Sequence, residues 1–173
     1  RRYTQYMADR NLGGLYTNNL NTFISDGHKY NMNACTQASA YAVARNRFAA
    51  QIAELTGDDA DFYRQRAELT LGQMNARLWM PQRGYFAEYV DRDGVLHDAL
   101  EAPTIYHPIE MGVADAFQAY QMTRYVDERL WQFGDQIRFN DWYPIIPTNN
   151  SISFSESLNT ALAYYHAGRF ERA

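Results

Sequence analysis

Apolar and small side chains recur at helical spacing from Asn33 to Leu55, and Gly57 follows as a helix stop signal. The repeating positions are Ala34, Ala38, Tyr41, Ala42, Phe48, Ala49, Ile52 and Leu55. A second stripe runs from Phe62 to Leu78, after the acidic stretch GDDAD, whose carboxylates suit a helix N-terminus. Because only a short turn joins the two predicted helices, we expect them to lie antiparallel.

The second half of the chain predicts a β-hairpin and two more helices. In GYFAEYV, apolar and polar residues alternate as in a β-strand. DRDG supplies turn residues, and VLHDA is expected to form the second strand of the hairpin. A third helix is expected from Ala114 to Leu130, with Phe117, Tyr120, Gln121 and Arg124 along one side. Ser155 is expected to cap a fourth helix that ends before Gly168, with a stripe of Leu158, Ala161, Leu162 and Tyr165. A long aromatic loop separates these two helices, and Arg124 is expected to pair with Asp127.

This order of elements predicts an all-α fold with a small β-hairpin insertion. Repeated helical hairpins indicate an α/α solenoid or a closed α/α toroid, whose loops at one end build the functional site. We expect residues 1–173 to form a single partial domain of a longer protein. The chain has no initiator methionine, and it stops where a new helical pattern begins.

Composition narrows the function classes. With 46% hydrophobic and 21% charged residues, the chain is typical of a globular domain. A net charge of -4 without basic runs disfavours nucleic-acid binding and an anionic substrate. Cys35 is the only cysteine, so an internal disulfide is excluded. No apolar run approaches the roughly 20 residues of a membrane span, and no signal peptide is visible.

Three stretches resemble a bacterial family of the six-hairpin glycosidase superfamily. They are NTFISDGHKYNMNACTQASAYAVARNRFAAQIAELTGDDADFYRQRAE, LWMPQRGYFAEYVDRDG and YHPIEMGVADAFQAYQMTRYVD. The resemblance implies an α/α toroid that acts on an oligosaccharide or polysaccharide, usually behind a β-sandwich domain. It also implies that this chain supplies about half of the toroid, and that the protein is periplasmic or extracellular.

Hydrolysis of a glycosidic bond requires one protonated and one ionised carboxyl group. We expect Glu110 to be the general acid, because Ile109 and Met111 flank it and desolvation raises the pKa of a carboxyl. Asp26 is the expected base, because a Ser-Asp-Gly turn before a helix favours the carboxylate. Each has a structural alternative, Glu110 as a surface or first-turn acid and Asp26 as a turn residue. Asp115 could replace Glu110 but suits a helix cap better, and Glu156 and Asp141 are reserve candidates.

Seven further residues are expected to bind substrate. They are Asn21, His28, Lys29 and Tyr30 of the stretch NTFISDGHKYN, Tyr106 and His107 of YHPIE, and Trp142 of the long loop. Flat aromatic rings can stack on the C–H faces of sugars, and polar side chains can bind hydroxyl groups. His28, Lys29 and Tyr30 can equally form a local network that only fixes the loop.

The sequence therefore predicts a glycoside hydrolase with a two-carboxylate acid/base mechanism, inverting rather than retaining. Two alternatives stay open. One is a sugar epimerase or polysaccharide lyase, in which His28, His107 or Tyr106 would abstract a proton. The other is a non-catalytic carbohydrate-binding segment. No cofactor is expected, and no metal ligands are assigned. Paired histidine and cysteine motifs are lacking, although an oxygen-ligated calcium site stays possible.

Overall fold

A computed structural model describes residues 11–17, 32–98, 101–132, 136–137 and 154–173. Helices dominate this part of the chain, in agreement with the predicted fold class. The helices are α1 (Thr36–Thr56), α2 (Ala60–Arg77), α3 (Ala102–Glu110), α4 (Ala116–Tyr125) and α5 (Phe154–His166). A π-helical turn at Val126–Leu130 continues α4.

Single residues set the junction between α1 and α2. Helix α1 ends at Gly57, which has a φ of 74° and donates its N–H to the carbonyl of Ala53. Glycine adopts this left-handed conformation without steric cost. Helix α2 begins after Asp59, whose Oδ1 accepts the N–H of Phe62 at 3.1 Å. Residues 57–59 alone join the two helices, and the helices pack against each other, so the predicted helix pair is confirmed.

The strands are short and pair antiparallel. Three pairs are β1 (Asn11–Leu12) with β2 (Leu15–Tyr16), β4 (Trp79–Met80) with β5 (Tyr85–Phe86), and β8 (Trp131–Gln132) with β9 (Gln136–Ile137). A three-stranded sheet has the order β3 (Met32–Cys35), β6 (Tyr89–Asp91) and β7 (Leu96–His97). The predicted hairpin exists as β6 and β7. Tyr85 and Phe86 pair with β4 instead, and residues 32–35, where the first helix was expected to begin, form β3.

Helix α3 was not predicted, because two prolines make its sequence a poor helix former. Pro103 lies in the first turn, where a helix does not use the missing N–H. Pro108 lies inside the helix and removes one backbone hydrogen bond. Every residue from 102 to 109 is buried. Tertiary packing therefore stabilises a helix that local propensity disfavours.

Helix α4 begins with the predicted cap, and its π-helical continuation ends at Leu130, where the predicted helix ends. Asp115 accepts the N–H of Gln118 at 2.8 Å, and the Gln118 side chain accepts the N–H of Asp115 at 3.0 Å. This capping box confirms the structural role of Asp115. The expected pair of Arg124 with Asp127 is wrong. Arg124 pairs with Glu128 instead, and the Asp127 carboxylate is held by Arg169 and Tyr164.

The sequence patterns misidentified the buried faces of α1 and α5. Tyr41, Phe48, Ile52 and Leu55 of α1 are 44% to 84% exposed. The buried face of α1 instead carries small or polar residues, Thr36, Ser39, Ala40, Ala42, Val43, Asn46, Ala50 and Ala53. In α5, Leu158, Leu162 and Tyr165 are exposed, whereas Thr160, Ala163 and Tyr164 are buried. Ser155 lies inside α5 rather than capping it.

Within the described ranges, none of the helices is both long enough and apolar enough to cross a membrane.

Candidate active site

The candidate site is built on α3, the helix that carries Tyr106, His107 and Glu110. Helices α1 and α5 both pack against α3, and each contributes one side chain to the site. Tyr41 comes from the second turn of α1, and Glu156 comes from the first turn of α5.

Glu110 lies in a largely enclosed position at the end of α3. Its side chain is 12% exposed, and its Oε1 has no hydrogen-bond partner among the described residues. Burial raises the pKa of the Glu110 carboxyl, and the negative charge of Glu156 raises it further. The first of these causes is the one expected from the sequence. Such a carboxyl holds its proton to higher pH than an exposed glutamate does.

His107 lies beside Glu110 and is neutral near pH 7. Burial lowers its pKa to about 4. Its Nδ1 is 3.6 Å from Oε2 of Glu110, which is too long for a hydrogen bond, and a neutral imidazole forms no ion pair. Its Nε2 lies 3.3 Å from the hydroxyl of Tyr41, in a hydrogen bond whose direction depends on the imidazole tautomer. Burial, and then the charge of Glu110, raises the pKa of Tyr41, which keeps this hydroxyl protonated.

Tyr106 connects α3 to α5. Its ring is 2% exposed, and its hydroxyl is hydrogen-bonded to the side chains of Glu156 and Asn159. Burial and the bond to Glu156 raise the pKa of Tyr106 far above its usual range. Glu156 is itself 7% exposed, and burial raises its pKa, with a further contribution from the charge of Glu101. Two buried carboxyl groups with raised pKa values, Glu110 and Glu156, therefore lie on facing helices.

A third buried carboxylate supports the start of α3. Oε2 of Glu88, next to β6, accepts the hydroxyl of Thr104 and the N–H of Glu101, the latter at 3.4 Å. Glu88 is 3% exposed and Thr104 is 1% exposed. A negative charge at a helix N-terminus also interacts favourably with the helix dipole. The β6 segment thereby fixes the helix that carries Glu110.

Six of the predicted site residues lie outside the described ranges: Asn21, Asp26, His28, Lys29, Tyr30 and Trp142. Of the predicted set, the structure places Tyr106, His107 and Glu110, and it brings them together on one helix. No cluster of three or more histidine, cysteine or acidic side chains in the described part of the chain could hold a metal ion.

Two residues of the site were not among the predicted site residues. Glu156 was only a reserve candidate, and its burial beside Tyr106 is what distinguishes it in the structure. The other reserve, Asp141, lies outside the described ranges. Tyr41 belongs to an apolar stripe, where a tyrosine is usually a packing residue. The signal for both is three-dimensional, since each becomes notable only through its contact with α3.

The fold matches solved structures of three glycosidases. A GH78 family rhamnosidase of Bacillus sp. GL1 has a TM-score of 0.66 and 22% identity, over 96% of this chain and 16% of its own. Neutral trehalase from Saccharomyces cerevisiae has a TM-score of 0.68 and 12% identity, over 86% and 30% of the two chains. The GH63 mannosylglycerate hydrolase from Thermus thermophilus, in complex with Tris, has a TM-score of 0.64 and 14% identity, over 80% and 34%.

These likenesses define the class of fold, the α/α toroid. Together with the family match below, they confirm the resemblance to the six-hairpin glycosidases seen in the sequence. Residues 3–133 match the model of one family within that class. The chain belongs to the family described as the mannosylglycerate hydrolase MGH1-like glycoside hydrolase domain. It spans about a third or less of the length of each solved relative. No curated protein matches the sequence significantly.

Proposed function

We propose that the protein is a glycoside hydrolase in which Glu110 is the general acid. The observation that carries this proposal is the environment of Glu110. Its side chain is largely enclosed on α3 within a glycoside hydrolase domain, and the charge of Glu156 raises its pKa beyond the effect of burial. A carboxyl with a raised pKa keeps its proton near neutral pH until a leaving group needs it.

In the proposed reaction, Glu110 donates its proton to the glycosidic oxygen while the bond from that oxygen to the anomeric carbon breaks. A water molecule attacks the anomeric carbon and gives its proton to Asp26, the proposed base. The products are two molecules with free hydroxyl groups, and the configuration of the anomeric carbon is inverted. This geometry requires the two carboxyl groups to stand roughly 6.5 to 9.5 Å apart.

The proposed substrate is an oligosaccharide or polysaccharide. The solved relatives are a rhamnosidase, a trehalase and a mannosylglycerate hydrolase, so rhamnosides, trehalose and mannosylglycerate are the first compounds to assay. Asn21, His28, Lys29, Tyr30 and Trp142 stay the proposed contacts with sugar hydroxyls and rings. His107 was expected among them, and its observed neighbours, Glu110 and Tyr41, favour a role beside the proposed acid instead. Tyr106 was also expected to bind substrate, and its observed contact with Glu156 favours a supporting role in positioning that carboxyl.

Further helical hairpins, together with the β-sandwich domain that the resemblance implies, are proposed to lie outside this chain. The apolar side chains exposed on α1 and α5 support this proposal, because faces of this kind pack against neighbouring helices in a toroid. The share of each solved relative that this chain covers, 34% or less, supports it as well.

The epimerase or lyase alternative receives less support. His28, His107 or Tyr106 would act as its base, and His28 lies outside the described ranges. Burial and the bond to Glu156 raise the pKa of Tyr106, so its phenolate is costly to form. His107 has a pKa lowered to about 4 and is therefore a weak base.

The test replaces Glu110 with glutamine in the full-length protein and compares two kinds of substrate. Alkyl glycosides need a protonated leaving group, whereas dinitrophenyl glycosides do not. We expect Glu110→Gln to lower kcat/KM on alkyl glycosides by roughly 100-fold to 10,000-fold and to leave dinitrophenyl glycosides nearly unaffected. Glu68→Gln, at an exposed position on α2, is the matched control.

Three results would contradict the proposal. Full turnover of alkyl glycosides by Glu110→Gln would remove Glu110 from the acid role. Full turnover by Asp26→Asn would remove Asp26 from the base role. Binding of a glycan without cleavage by the unmodified protein would favour the non-catalytic alternative.

A further inference from the structure

The contact between Glu110 and His107 brings two hydrogen-bonding atoms close together without joining them. Nδ1 of His107 lies 3.6 Å from Oε2 of Glu110 and has no hydrogen-bond partner among the described residues. The side chains of both residues are enclosed, with 9% of His107 and 12% of Glu110 exposed. A buried polar atom without a partner costs free energy, so its retention beside a proposed acid calls for a reason.

The reaction supplies such a reason. When Glu110 gives up its proton, its carboxyl group becomes a carboxylate in a site that solvates charge poorly. A donor N–H at Nδ1 would then stabilise the new charge, and the 3.6 Å separation could shorten to a normal hydrogen bond. Hydrogen bonds that are long in the resting enzyme commonly tighten during catalysis. The interaction would be stronger in the transition state than in the ground state, as catalysis requires.

The tautomer of His107 decides whether Nδ1 can donate. A neutral imidazole carries one N–H, and the partner of the other ring nitrogen selects its position. The hydroxyl of Tyr41, 3.3 Å from Nε2, can donate to that nitrogen and so place the N–H on Nδ1. Tyr41 is 46% exposed, so its oxygen can in turn accept a hydrogen bond from water.

We propose that His107, held by Tyr41 in the tautomer with its N–H on Nδ1, is a neutral hydrogen-bond donor to the carboxylate that forms on Glu110 during glycoside cleavage. Both are positioning residues, since they act through Glu110. The inference rests on the proposed function of Glu110. The proton itself passes from Glu110 to the glycosidic oxygen, and His107 keeps its own.

Activity measurements on the full-length protein test the donor role. The first variants are Tyr41→Phe, which removes one hydroxyl and keeps the ring, and His107→Phe, which removes the donor. On alkyl glycosides we expect kcat/KM to fall about tenfold in Tyr41→Phe and at least about 100-fold in His107→Phe. KM should not change in either variant, because the lost interaction exists only in the transition state. Dinitrophenyl glycosides should react at the unmodified rate.

The pH profile separates this role from a structural one. The titratable groups described around Glu110 are Tyr106 and His107 on α3, Tyr41 on α1 and Glu156 on α5. Loss of a donor to the carboxylate raises the pKa of Glu110, so the basic limb of the kcat/KM profile should move to higher pH. His107→Gln keeps an N–H donor, so it should be faster than His107→Phe. The basic limb of its kcat/KM profile should lie close to that of the unmodified protein.

Nitrogen NMR of the imidazole gives a readout that is independent of activity. The His107 signals, assigned by their loss in His107→Gln, should show the N–H on Nδ1 in the unmodified protein and a mixture of tautomers in Tyr41→Phe. An N–H found on Nε2 in the unmodified protein would overturn the inference, as would a higher KM with an unchanged kcat in Tyr41→Phe. If Glu110→Gln keeps full activity, the proposed function fails. If Glu110→Gln is inactive while both His107→Phe and Tyr41→Phe keep the unmodified rate and pH profile, this inference alone fails.

Discussion

The hydroxyl of Thr104 donates a hydrogen bond to the buried carboxylate of Glu88 and so ties the first turn of α3 to the segment next to β6. Thr104→Val removes this donor while keeping the side-chain shape, so we expect the free energy of unfolding to fall by about 1–3 kcal/mol. The control is Thr70→Val, another threonine that is 1% exposed. Its hydroxyl donates only to the backbone carbonyl of Arg66, at 3.0 Å. Urea unfolding should show a smaller loss for Thr70→Val, and equal losses would contradict the importance of the Glu88 contact.

The pH dependence of stability should carry a contribution from His107. Its pKa is lowered from 6.5 to about 4, so between these values the unfolded chain binds a proton that the folded chain does not. The free energy of unfolding should therefore fall by about 3 kcal/mol as the pH drops from 6.5 to 4. Raised pKa values at Glu110 and Glu156 act in the opposite direction, because the folded state holds their protons more tightly.

Urea unfolding at a series of pH values measures the His107 contribution. It is the difference between the free energies of unfolding of the unmodified protein and of His107→Gln. His107→Gln should lack the part of the stability loss between pH 6.5 and 4 that comes from His107, whatever its stability at neutral pH. His166→Gln, at an exposed position on α5, serves as the control. Parallel curves for His107→Gln and the unmodified protein would show that burial does not perturb this imidazole.

Two glycines give a matched test of backbone conformation. Gly57 has a φ of 74°, and a Cβ added there would touch nothing within 4 Å, so the cost of Gly57→Ala is purely conformational. We expect a loss of about 1–2 kcal/mol. Gly72, inside α2, also has open space around it, and Gly72→Ala should stabilise the protein by about 0.5–1 kcal/mol. Urea midpoints of the two variants should shift in opposite directions, and shifts of the same sign would contradict this interpretation.

The carboxylate of Asp127 anchors the chain beyond α5. It accepts a hydrogen bond from Arg169 at 2.6 Å and one from the hydroxyl of Tyr164 at 2.7 Å. Because these groups are largely buried, we expect Asp127→Asn to lower the free energy of unfolding by about 1–3 kcal/mol. Glu128→Gln, which breaks the exposed pair with Arg124, should change the urea midpoint very little. The proposed anchor would be contradicted if the two variants behaved alike.

Local rules predicted the helix ends of this chain better than the helix faces. Gly57, Asp59 and Asp115 act where their chemistry indicates, because a cap depends only on atoms within a few residues. Phe48 and Ile52 do lie on a helix, as their spacing predicted, but they are exposed in this chain. Periodicity identifies an apolar helix face and does not show what that face packs against. Within the described residues, the small side chains of α1 form the buried face instead.

For the candidate site too, features set by neighbouring residues were predicted and features set by packing between helices were not. The apolar neighbours of Glu110 indicated its raised pKa, because desolvation can be inferred from adjacent residues. Tyr41 was not selected and Glu156 was only a reserve, because their contributions depend on how α1 and α5 pack against α3. Two prolines made α3 itself hard to predict. The sequence supported Asp26 through turn chemistry alone, and its role as base stays a prediction.

Cys35 offers a native reporter at the start of α1, the helix that carries Tyr41. Its sulfur caps α1 by accepting the N–H of Ala38 at 3.4 Å, and its residue is 2% exposed between the three-stranded sheet and the helix. Since the sequence contains no other cysteine, the rate at which a thiol reagent modifies this chain measures how often β3 and the first turn of α1 open together. A bound sugar that tightens the site would slow that reaction, so labelling can detect a ligand before any product is known.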